Sequence, residues 1–251
     1  VNLAADDEDL AGLFGQDQRV TASRLAAKFE LEDFRARFAD VVKPKLEGAR
    51  YLGLPAVLGY EGVVDIVDDL TARLGVPVFE IPMITPTLPG IRLADLMLEA
   101  TQDAGAEVLR GQPVSRLFPN QGRFEATLVG VEESREIHAD RVLLATGRFF
   151  GGGLEARPDG VRETLLGLNV DVPHSRDDWH MNTFLGAPGH PINRAGLEVD
   201  DRLRILSGGE PALGGVYAAG AILANHDWVR EKSGAGISIV TGWAAVDRML
   251  S

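Results

Sequence analysis

Apolar residues recur at helical intervals, with charged residues between them, in four stretches of the chain. This period predicts helices over residues 21–43, 63–74, 91–103 and 237–250. Pro44 is predicted to end the first helix, because proline cannot continue the hydrogen-bond ladder. Gly75 is predicted to cap the second, since glycine readily takes the left-handed conformation that ends many helices. The last helix is expected to offer its apolar residues for packing: Ile239, Val240, Trp243, Ala244 and Val246.

Short apolar runs predict strands between these helices. Runs at 49–58, 76–81 and 105–111 are expected to be strands, and the last of them, following helix 91–103, forms an αβ unit that fits a parallel sheet. A rigid, proline-rich loop is predicted at 85–90. Antiparallel strands are predicted at 114–117, 123–131 and 135–137, with a turn at 120–122. Shorter strands are predicted at 142–144, 168–172, 203–205 and 216–219, which indicates a mixed α/β fold.

Two of the short strands end in small residues. Ala145, Thr146 and Gly147 follow strand 142–144, and Gly220 follows strand 216–219. A third glycine-rich stretch, 233–236, opens the last helix and would present free N–H groups and the positive end of the helix dipole. Ligands of open α/β sheets bind at the carboxyl ends of strands, so these stretches predict one edge for a phosphate or a reduced flavin. The alternative is a set of glycine-rich turns that pack well and bind nothing.

Composition removes several classes of function. The 251 residues carry a formal net charge of −12, so neither nucleic acid nor an anionic membrane surface is expected as a direct partner. The chain has no cysteine, which excludes disulfides, thiolate catalysis and iron–sulfur clusters on this chain. No run of about 18 apolar residues is present, so no membrane span is predicted. The acidic stretch at 6–9 is the reverse of a basic signal-peptide start, and a cytoplasmic location is expected.

Common catalytic and nucleotide-binding motifs are absent from the sequence. It contains no P-loop, no His-Glu-x-x-His and no Gly-x-Ser-x-Gly. No metal site is predicted, because the aspartates within 65–69 share a helix face without the rest of a ligand set. Residues 151–156 (GGGLEA) formally match Gly-x-Gly-x-x-Ala, but Pro158 follows where the dinucleotide fingerprint needs a helix. We interpret 151–156 as a turn rather than as a nucleotide site.

Four stretches carry a family resemblance. They are PTLPGIRL at 86–93, VLLATGRFFGGGL at 142–154, VRETLLGL at 161–168 and GVYAAGAILA at 215–224. In this order they resemble the B subunit of the anaerobic glycerol-3-phosphate dehydrogenase family, and the similarity runs from about residue 20 to the C-terminus. The phenylalanine–glycine run and the Pro-Thr-Leu-Pro loop are the specific parts, whereas many flavoproteins share the Ala-Thr-Gly strand end.

The resemblance implies a partial FAD/NAD(P)-binding, Rossmann-like flavoprotein fold with a small mixed antiparallel substrate or cap region. Residues 1–82 are expected to be a helical and αβ inserted or cap region, and residues 83–251 the C-terminal part of the flavin-binding oxidoreductase domain. Members of that family begin with a strand, a Gly-x-Gly-x-x-Gly turn and a helix, and this chain, which starts at Val1, has no such start. A C-terminal portion without the dinucleotide-binding βαβ unit is therefore expected. The implied cofactor is FMN or FAD.

Carried over by position, the resemblance assigns a flavin-lining row of small residues. This row consists of Thr146, Gly147, Gly220, Ala221, Gly234, Ala235 and Gly236. Ala221 stands where flavoproteins often have an acidic residue.

Cationic side chains near the row are candidates to meet a substrate phosphate or a developing alkoxide. They are Arg148, Arg162, His226, Arg230 and Lys232. Among them we predict His226, Arg148 and Lys232 to be catalytic, with His226 a general base oriented by the Asp227 carboxylate. The alternative is surface charges and an ordinary loop histidine.

The activity implied by the resemblance is oxidation of sn-glycerol 3-phosphate to dihydroxyacetone phosphate. Electrons would pass to an iron–sulfur subunit and the quinone pool. The expected partners are the catalytic flavoprotein subunit and the iron–sulfur membrane-anchor subunit of one heteromeric complex, on the inner face of the cytoplasmic membrane. Two alternatives remain: a non-catalytic flavin-relay or assembly subunit of that complex, and a flavin dehydrogenase for another hydroxy compound.

Overall fold

The computed structural model describes residues 12–13, 21–83, 87–130, 133–184 and 186–251. Thr85 and Pro86 of the predicted loop, and Val131 at the end of a predicted strand, lie outside these residues. The chain divides into two compact units, the first extending to Leu109 and the second starting at Arg110. The division of the chain into domains at 82/83 stays a prediction.

The first unit combines helices with a pair of strands. Its elements are α1 (Ala22–Phe29), α2 (Glu32–Val42), a 3-10 helix (Lys43–Leu46), β1 (Leu52–Pro55), α3 (Val63–Leu74), β2 (Val78–Ile81) and α4 (Leu88–Asp103). β1 and β2 pair in parallel, with Leu52 opposite Val78, so β1, α3 and β2 form a βαβ unit. Gly75 ends α3 in the left-handed conformation, with φ of +76°, as predicted.

The strand predicted at 105–111 is wrong. These residues form no strand, and Gly105 and Gly111 take left-handed conformations with φ of +82° and +70°. Left-handed residues interrupt extended backbone, which explains why no strand forms here. The parallel strand pair of this unit is formed by β1 and β2.

The prediction of a single helix over 21–43 is also wrong, because the helix is interrupted between Phe29 and Glu32. Two residues five apart lie about 140° apart around a straight helix, which would keep Phe29 away from Phe34. The break instead brings the Phe29 ring to 5.1 Å from the rings of both Phe34 and Phe38, in edge-on packing. At the break, the Glu30 carboxylate accepts a hydrogen bond of 2.6 Å from the backbone N–H of Tyr60.

The second unit is rich in short strands and turns. Its elements are β3 (Val114–Asn120), β4 (Arg123–Val129), β5 (Ser134–Ala139), β6 (Val142–Leu144), β7 (Leu154–Arg157), β8 (Gly160–Glu163), β9 (Leu206–Ser207), β10 (Glu210–Pro211), β11 (Val216–Ala218), α5 (Trp228–Glu231) and α6 (Gly234–Leu250), with 3-10 turns at Arg176–Asp178, Pro191–Arg194 and Gly220–Ile222. β3, β4 and β5 form the predicted antiparallel sheet. Gln121 and Gly122 both have positive φ at its first turn, which suits a tight two-residue hairpin.

The predicted strands at 168–172 and 203–205 reduce to isolated bridges in the structure. Asp171 pairs with Gly196, Arg204 with Tyr217 and Ile205 with Val199. The residues between 164 and 205 are consequently held by individual contacts rather than by a continuous sheet.

The last helix, α6, leaves most of its apolar side chains exposed. Ile239, Val240 and Trp243 are 67%, 64% and 73% exposed, whereas Ala245 is buried. These three side chains were predicted to be available for packing, and the described part of the chain leaves them largely uncovered. Among the described residues, no helix is long and apolar enough to cross a membrane.

Candidate functional site

The two strands with small residues at their ends lie side by side. β6 and β11 pair in parallel, with Val142 opposite Val216 and Leu144 opposite Ala218. The ladder extends one step further, because the Ala219 N–H donates to the Leu144 carbonyl at 3.0 Å. Since the two strands run in the same direction, the residues that follow them, Thr146-Gly147 and Gly220-Ala221, lie at the same edge of the strand pair. The structure thus brings together two of the three predicted parts of the row.

The third part opens α6, and this helix contacts the same edge further along, at Ser238 and Thr241. Gly220 has φ of +76°, and its N–H donates to Thr241 Oγ1 on α6 at 2.8 Å. A Cβ added at Gly220 would stand 3.4 Å from Ser238 Oγ, an ordinary contact, so glycine is favoured here by its positive φ rather than by lack of space.

Gly234, Ala235 and Gly236 form the first turn of α6, which no side chain caps and which has no acidic residue. Unpaired N–H groups at a helix start favour negative charge or a hydrogen-bond acceptor. The end of β11 and the start of α6 therefore offer a surface of backbone donors and small side chains.

The glycine run after β6 folds back on the end of that strand. A Cβ on Gly151 would collide with the Thr146 carbonyl, and one on Gly153 with the Gly147 carbonyl and Thr146 Oγ1. These glycines are required by contacts within the loop. Residue 154 then starts β7 rather than a helix, which confirms that 151–156 is not a dinucleotide fingerprint.

Arg148 is the centre of a buried hydrogen-bond network. It is 7% exposed, and its guanidinium donates to the carbonyls of Asn193, Leu223 and His226, the last two at 2.7 and 3.0 Å. Arg148 therefore ties the loop after β6 to two distant loops. Its terminal nitrogens are used in doing so, and a substrate phosphate would have to compete with these carbonyls for them.

His226 is oriented by Arg148, not by Asp227. Arg148 Nη2 lies 3.2 Å from His226 Nδ1, and because a guanidinium can only donate, Nδ1 accepts and the neutral ring carries its proton on Nε2. Burial, together with the positive charge of Arg148, lowers the pKa of His226, which favours the neutral form. In this arrangement Nε2 is a donor, and Nδ1 is the ring's basic atom.

The Asp227 carboxylate has a different role from the predicted one. Asp227 is 2% exposed and is the N-cap of α5, where it accepts from the Arg230 N–H, while Glu231 accepts from the Asp227 N–H at 3.1 Å. This reciprocal pair resembles a capping box, with Glu231 one position later than usual, and it stabilises the start of the helix.

The other predicted cations are dispersed. Lys232 is exposed and takes a left-handed conformation after α5. Arg230 donates to the Ala187 carbonyl at 3.1 Å, and Arg162 pairs with Asp159 at 2.7 Å. Arg230 Nε also lies 3.6 Å from the buried Asp227 carboxylate, while no contact among the described residues joins Arg162 or Lys232 to Arg148 or His226.

A cavity of about 570 Å³ opens beside the row, touching Gly147 and Ala221. Its other walls come from the loop after β6, from β7, from the segment around Trp179, from the 3-10 turn at Pro191–Arg194 and from the start of α5. They are Arg148, Phe149, Phe150, Gly151, Ala156, Arg176, Trp179, His180, Ile192, Asn193, Trp228 and Val229. Sequence reasoning missed Arg176, Trp179, His180 and Asn193, because the stretch 151–212 has no period that would place them. Trp179 was the signal in the sequence that could have located this wall, since a large aromatic residue in an irregular segment usually packs against other parts of the protein.

Three buried side-chain atoms near the edge have no hydrogen-bond partner among the described residues. They are Thr146 Oγ1, Arg148 Nε and His226 Nε2. Buried polar atoms almost always have a hydrogen-bond partner, so three unpaired ones mark this region as a candidate ligand site. No cluster of potential metal ligands occurs within the described ranges.

A sheet edge of small residues beside an uncapped helix start is the arrangement expected of an α/β protein that binds a nucleotide or flavin. The chain belongs to the FAD binding domain family, which matches residues 15–237. This confirms the mixed α/β class and indicates FAD as the family's cofactor.

The chain is homologous to the B subunit of anaerobic glycerol-3-phosphate dehydrogenase, as the sequence motifs predicted. A Halobacterium salinarum protein, described as a probable B subunit of that enzyme, is 34% identical over 213 residues, covering 84% of this chain and 49% of the relative. The corresponding Yersinia pseudotuberculosis protein is 31% identical over 231 residues, covering 92% of this chain and 53% of the relative. That of Vibrio vulnificus is 28% identical, covering 78% and 45%. The chain thus spans about half the length of the curated relatives it matches and is related to an oxidoreductase component.

Proposed function

We propose that this chain forms part of an FAD-dependent subunit of an anaerobic glycerol-3-phosphate dehydrogenase complex. The reaction is oxidation of sn-glycerol 3-phosphate to dihydroxyacetone phosphate, with electrons passed to an iron–sulfur partner subunit and then to quinone. The observation that supports the proposal is the parallel pairing of β6 and β11, which brings the ends of both strands to one edge, where Gly220 N–H donates to Thr241 of α6.

The residues at this edge fit a flavin. Thr146, Gly147, Gly220 and Ala221 offer backbone groups and small side chains, and Thr146 Oγ1 is buried without a partner among the described residues. The free N–H groups at 234–236 suit the pyrimidine end of a flavin, where negative charge develops on reduction. When bound, the flavin supplies the two-electron oxidising group. FAD follows from the family, whereas FMN is the smaller group that the same edge accommodates.

Around this edge, His226 and Arg148 have distinct roles in the proposal. Arg148 is a positioning residue, because its nitrogens hold the 193 and 223–226 loops and the Nδ1 atom of His226. His226 is kept neutral, and because Arg148 engages Nδ1, the unpaired Nε2–H is the atom that would donate a hydrogen bond to a substrate oxygen. Lys232 is exposed, and its predicted role as a cation for a substrate phosphate stays a proposal.

A flavin-relay role in the same complex is the second candidate. It is favoured by the geometry of Arg148, whose two terminal nitrogens donate to three carbonyls and are therefore not free for a substrate phosphate. In that role a partner subunit oxidises the substrate, and this chain passes electrons on at the inner face of the cytoplasmic membrane.

The test uses the natural gene product that contains this chain. Purified protein should show flavin absorbance, and acid release should identify the flavin as FAD or FMN. Anaerobic glycerol 3-phosphate should bleach this absorbance, while glycerol and lactate should not. Flavin that stays oxidised with glycerol 3-phosphate would favour the relay role, and bleaching by lactate would favour a different dehydrogenase. A product without flavin would contradict all three.

A further inference from the structure

One wall of the cavity is formed by a loop, residues 172–195, that is closed at its neck. There Asp171 and Gly196 exchange two backbone hydrogen bonds, of 2.8 and 3.1 Å. Loops whose ends are held by the rest of the fold commonly carry the residues that select a ligand. The 172–195 loop supplies a large share of the side chains that line the cavity: Arg176, Trp179, His180, Ile192 and Asn193.

Arg176 lies over an aromatic side chain that is fixed in place. Its guanidinium is 5.2 Å from the centre of the Trp179 ring. Trp179 is 4% exposed, its indole N–H donates to the Pro173 carbonyl at 3.0 Å, and its own carbonyl accepts from the Ile192 N–H at 3.1 Å. A guanidinium over an aromatic ring is attracted through the face of the ring, and the N–H donors around its edge stay available for another partner. The buried indole therefore holds Arg176 at the cavity without using its donors.

The side chains of Arg176 and His180 have donors to offer a ligand. Both are exposed, and neither makes a hydrogen bond or an ion pair with another side chain of the described residues; His180 only packs edge-on against the His190 ring, 5.5 Å away. Asp177 and Asp178 follow Arg176 in sequence but do not line the cavity. Among the described lining residues none is acidic, although the whole chain has a formal net charge of −12. This wall therefore favours an anion with several acceptor oxygens, such as a phosphate group.

The other cations near the strand ends are engaged or lie away from the cavity. The two terminal nitrogens of Arg148 donate to backbone carbonyls. Arg162 and Arg230 lie beside carboxylates, and neither they nor Lys232 line the cavity. Within the described ranges, Arg176 is thus the lining cation whose side-chain donors remain available.

We propose that Arg176, assisted by His180, binds the phosphate group of the substrate and so selects a phosphorylated polyol. The proposal rests on the proposed function and deepens it, because it names the residues that recognise the phosphate. A phosphate at these exposed side chains keeps water on one side, which avoids burying an anion with too few donors. The carbon chain of the substrate then extends toward Gly147 and Ala221, which line the same cavity at the strand ends.

The test compares variants of the natural gene product that contains this chain. Arg176→Met removes the donors and keeps a long side chain, whereas Arg176→Lys keeps the charge without the forked donors. Arg194→Met is the matched control, because Arg194 is an exposed arginine of the same loop that does not line the cavity. Loss of a charge-assisted pair should raise the KM for glycerol 3-phosphate roughly ten- to a hundredfold in Arg176→Met, with kcat within about twofold of the parent. Arg176→Lys should have an intermediate KM, and Arg194→Met the parental one.

Inorganic phosphate is the second probe, since it carries the recognised group alone. It should compete with glycerol 3-phosphate in the parent, and its inhibition constant should rise in Arg176→Met by about the same factor as the KM. His180→Phe keeps an aromatic ring without donors and should raise the KM about two- to tenfold. His174→Phe, at an exposed histidine of the same loop outside the cavity, should leave it unchanged. This second pair decides the question should Arg176→Met fail to fold.

Flavin content, bleaching by glycerol 3-phosphate and binding of glycerol 3-phosphate in equilibrium dialysis are recorded on the same samples. A parent that binds the probe without being bleached contradicts the proposed function, and loss of that binding in Arg176→Met still supports the phosphate site. A parent that neither binds nor is bleached overturns both. The phosphate site alone is overturned if the parent is bleached while Arg176→Met keeps the parental KM. It is equally overturned if Arg194→Met or Lys232→Met raises the KM as much as Arg176→Met does.

Discussion

The two units stabilise their interiors in different ways. In the first unit, the buried side chains of the described residues are apolar, and they pack from Phe29 to Val78 around the phenylalanine cluster. The second unit buries three charged side chains, Arg148, Glu163 and Asp227. Each bonds to backbone: Arg148 to carbonyls, Glu163 to the N–H of Leu166 at 2.7 Å and Asp227 to the N–H of Arg230.

The difference follows from how each unit satisfies its backbone. Helices pair their own N–H and C=O groups, so the first unit can leave its core apolar. The second unit has two- to four-residue strands and long irregular loops between 144 and 228, whose backbone groups need other partners. Buried charged side chains supply them. In the second unit a residue of the candidate site, Arg148, therefore also holds loops together, whereas the core of the first unit consists of apolar side chains.

The largest effect is expected in the apolar core of the first unit. Phe34→Ala should lower the free energy of unfolding by about 3–5 kcal/mol, because Phe34 is 2% exposed and its ring packs on Phe29. Urea denaturation followed by circular dichroism measures it, with Val64→Ala, at a 68% exposed position of α3, as control. A loss below about 1 kcal/mol would mean that the cluster is not the core of that unit.

In the second unit, Arg148→Met should cost about 2–4 kcal/mol, because it leaves buried carbonyls without donors. Arg148→Lys should recover only part of this, since one ammonium cannot replace the forked donors of a guanidinium. The exposed Arg157, paired with Glu155, provides the control Arg157→Met, expected to change stability by about 0–1 kcal/mol. Equal stability of Arg148→Met and the parent would remove Arg148 from the centre of the second unit.

A smaller effect is expected at Glu163. Its two oxygens accept from the N–H groups of Leu165 and Leu166 at 2.9 and 2.7 Å, and Glu163→Gln leaves only one acceptor. We expect a loss of about 1–2 kcal/mol and faster hydrogen exchange at these two amides. Glu155→Gln, at an exposed position, should change neither. Unchanged exchange at Leu165 and Leu166 would contradict the role assigned to the carboxylate.

The smallest effect is a dependence of stability on pH. His226 has a lowered pKa when folded, so below about pH 6.5 the unfolded chain binds more protons and stability falls as the pH falls toward the folded value. His226→Gln should have a shallower decline over this window than the parent, and His174→Gln, a histidine outside the Arg148 network, should match the parent. Parallel curves of stability against pH for the parent and His226→Gln would show that burial and Arg148 do not lower the pKa of His226.

Local sequence signals predicted most regular elements, with the helix over 21–43 and the strand over 105–111 as exceptions, and they predicted the irregular segments poorly. The helical period and Gly75 predicted the extent of α3, and the small residues after 142–144 and 216–219 correctly predicted two neighbouring strand ends. The break at Glu30 could not be predicted, because it depends on rings that meet only after the chain turns. The contact of Arg148 with His226 joins residues 78 apart, and Trp179 enters the cavity wall from a segment without a period. Such contacts belong to tertiary structure rather than to local pattern.

The central claim, that a flavin lies at the edge formed by β6, β11 and the start of α6, is tested most directly at Gly236. A Cβ there meets nothing within 4 Å, so Gly236→Ala should keep its flavin. Gly236→Asp adds a negative charge in the first turn, which suits the helix dipole and spares the fold but repels the flavin's phosphate or its anionic ring. We predict near-parental flavin content, measured by acid release, in Gly236→Ala and a large loss in Gly236→Asp with unchanged stability. Equal flavin content in both variants would contradict the claim.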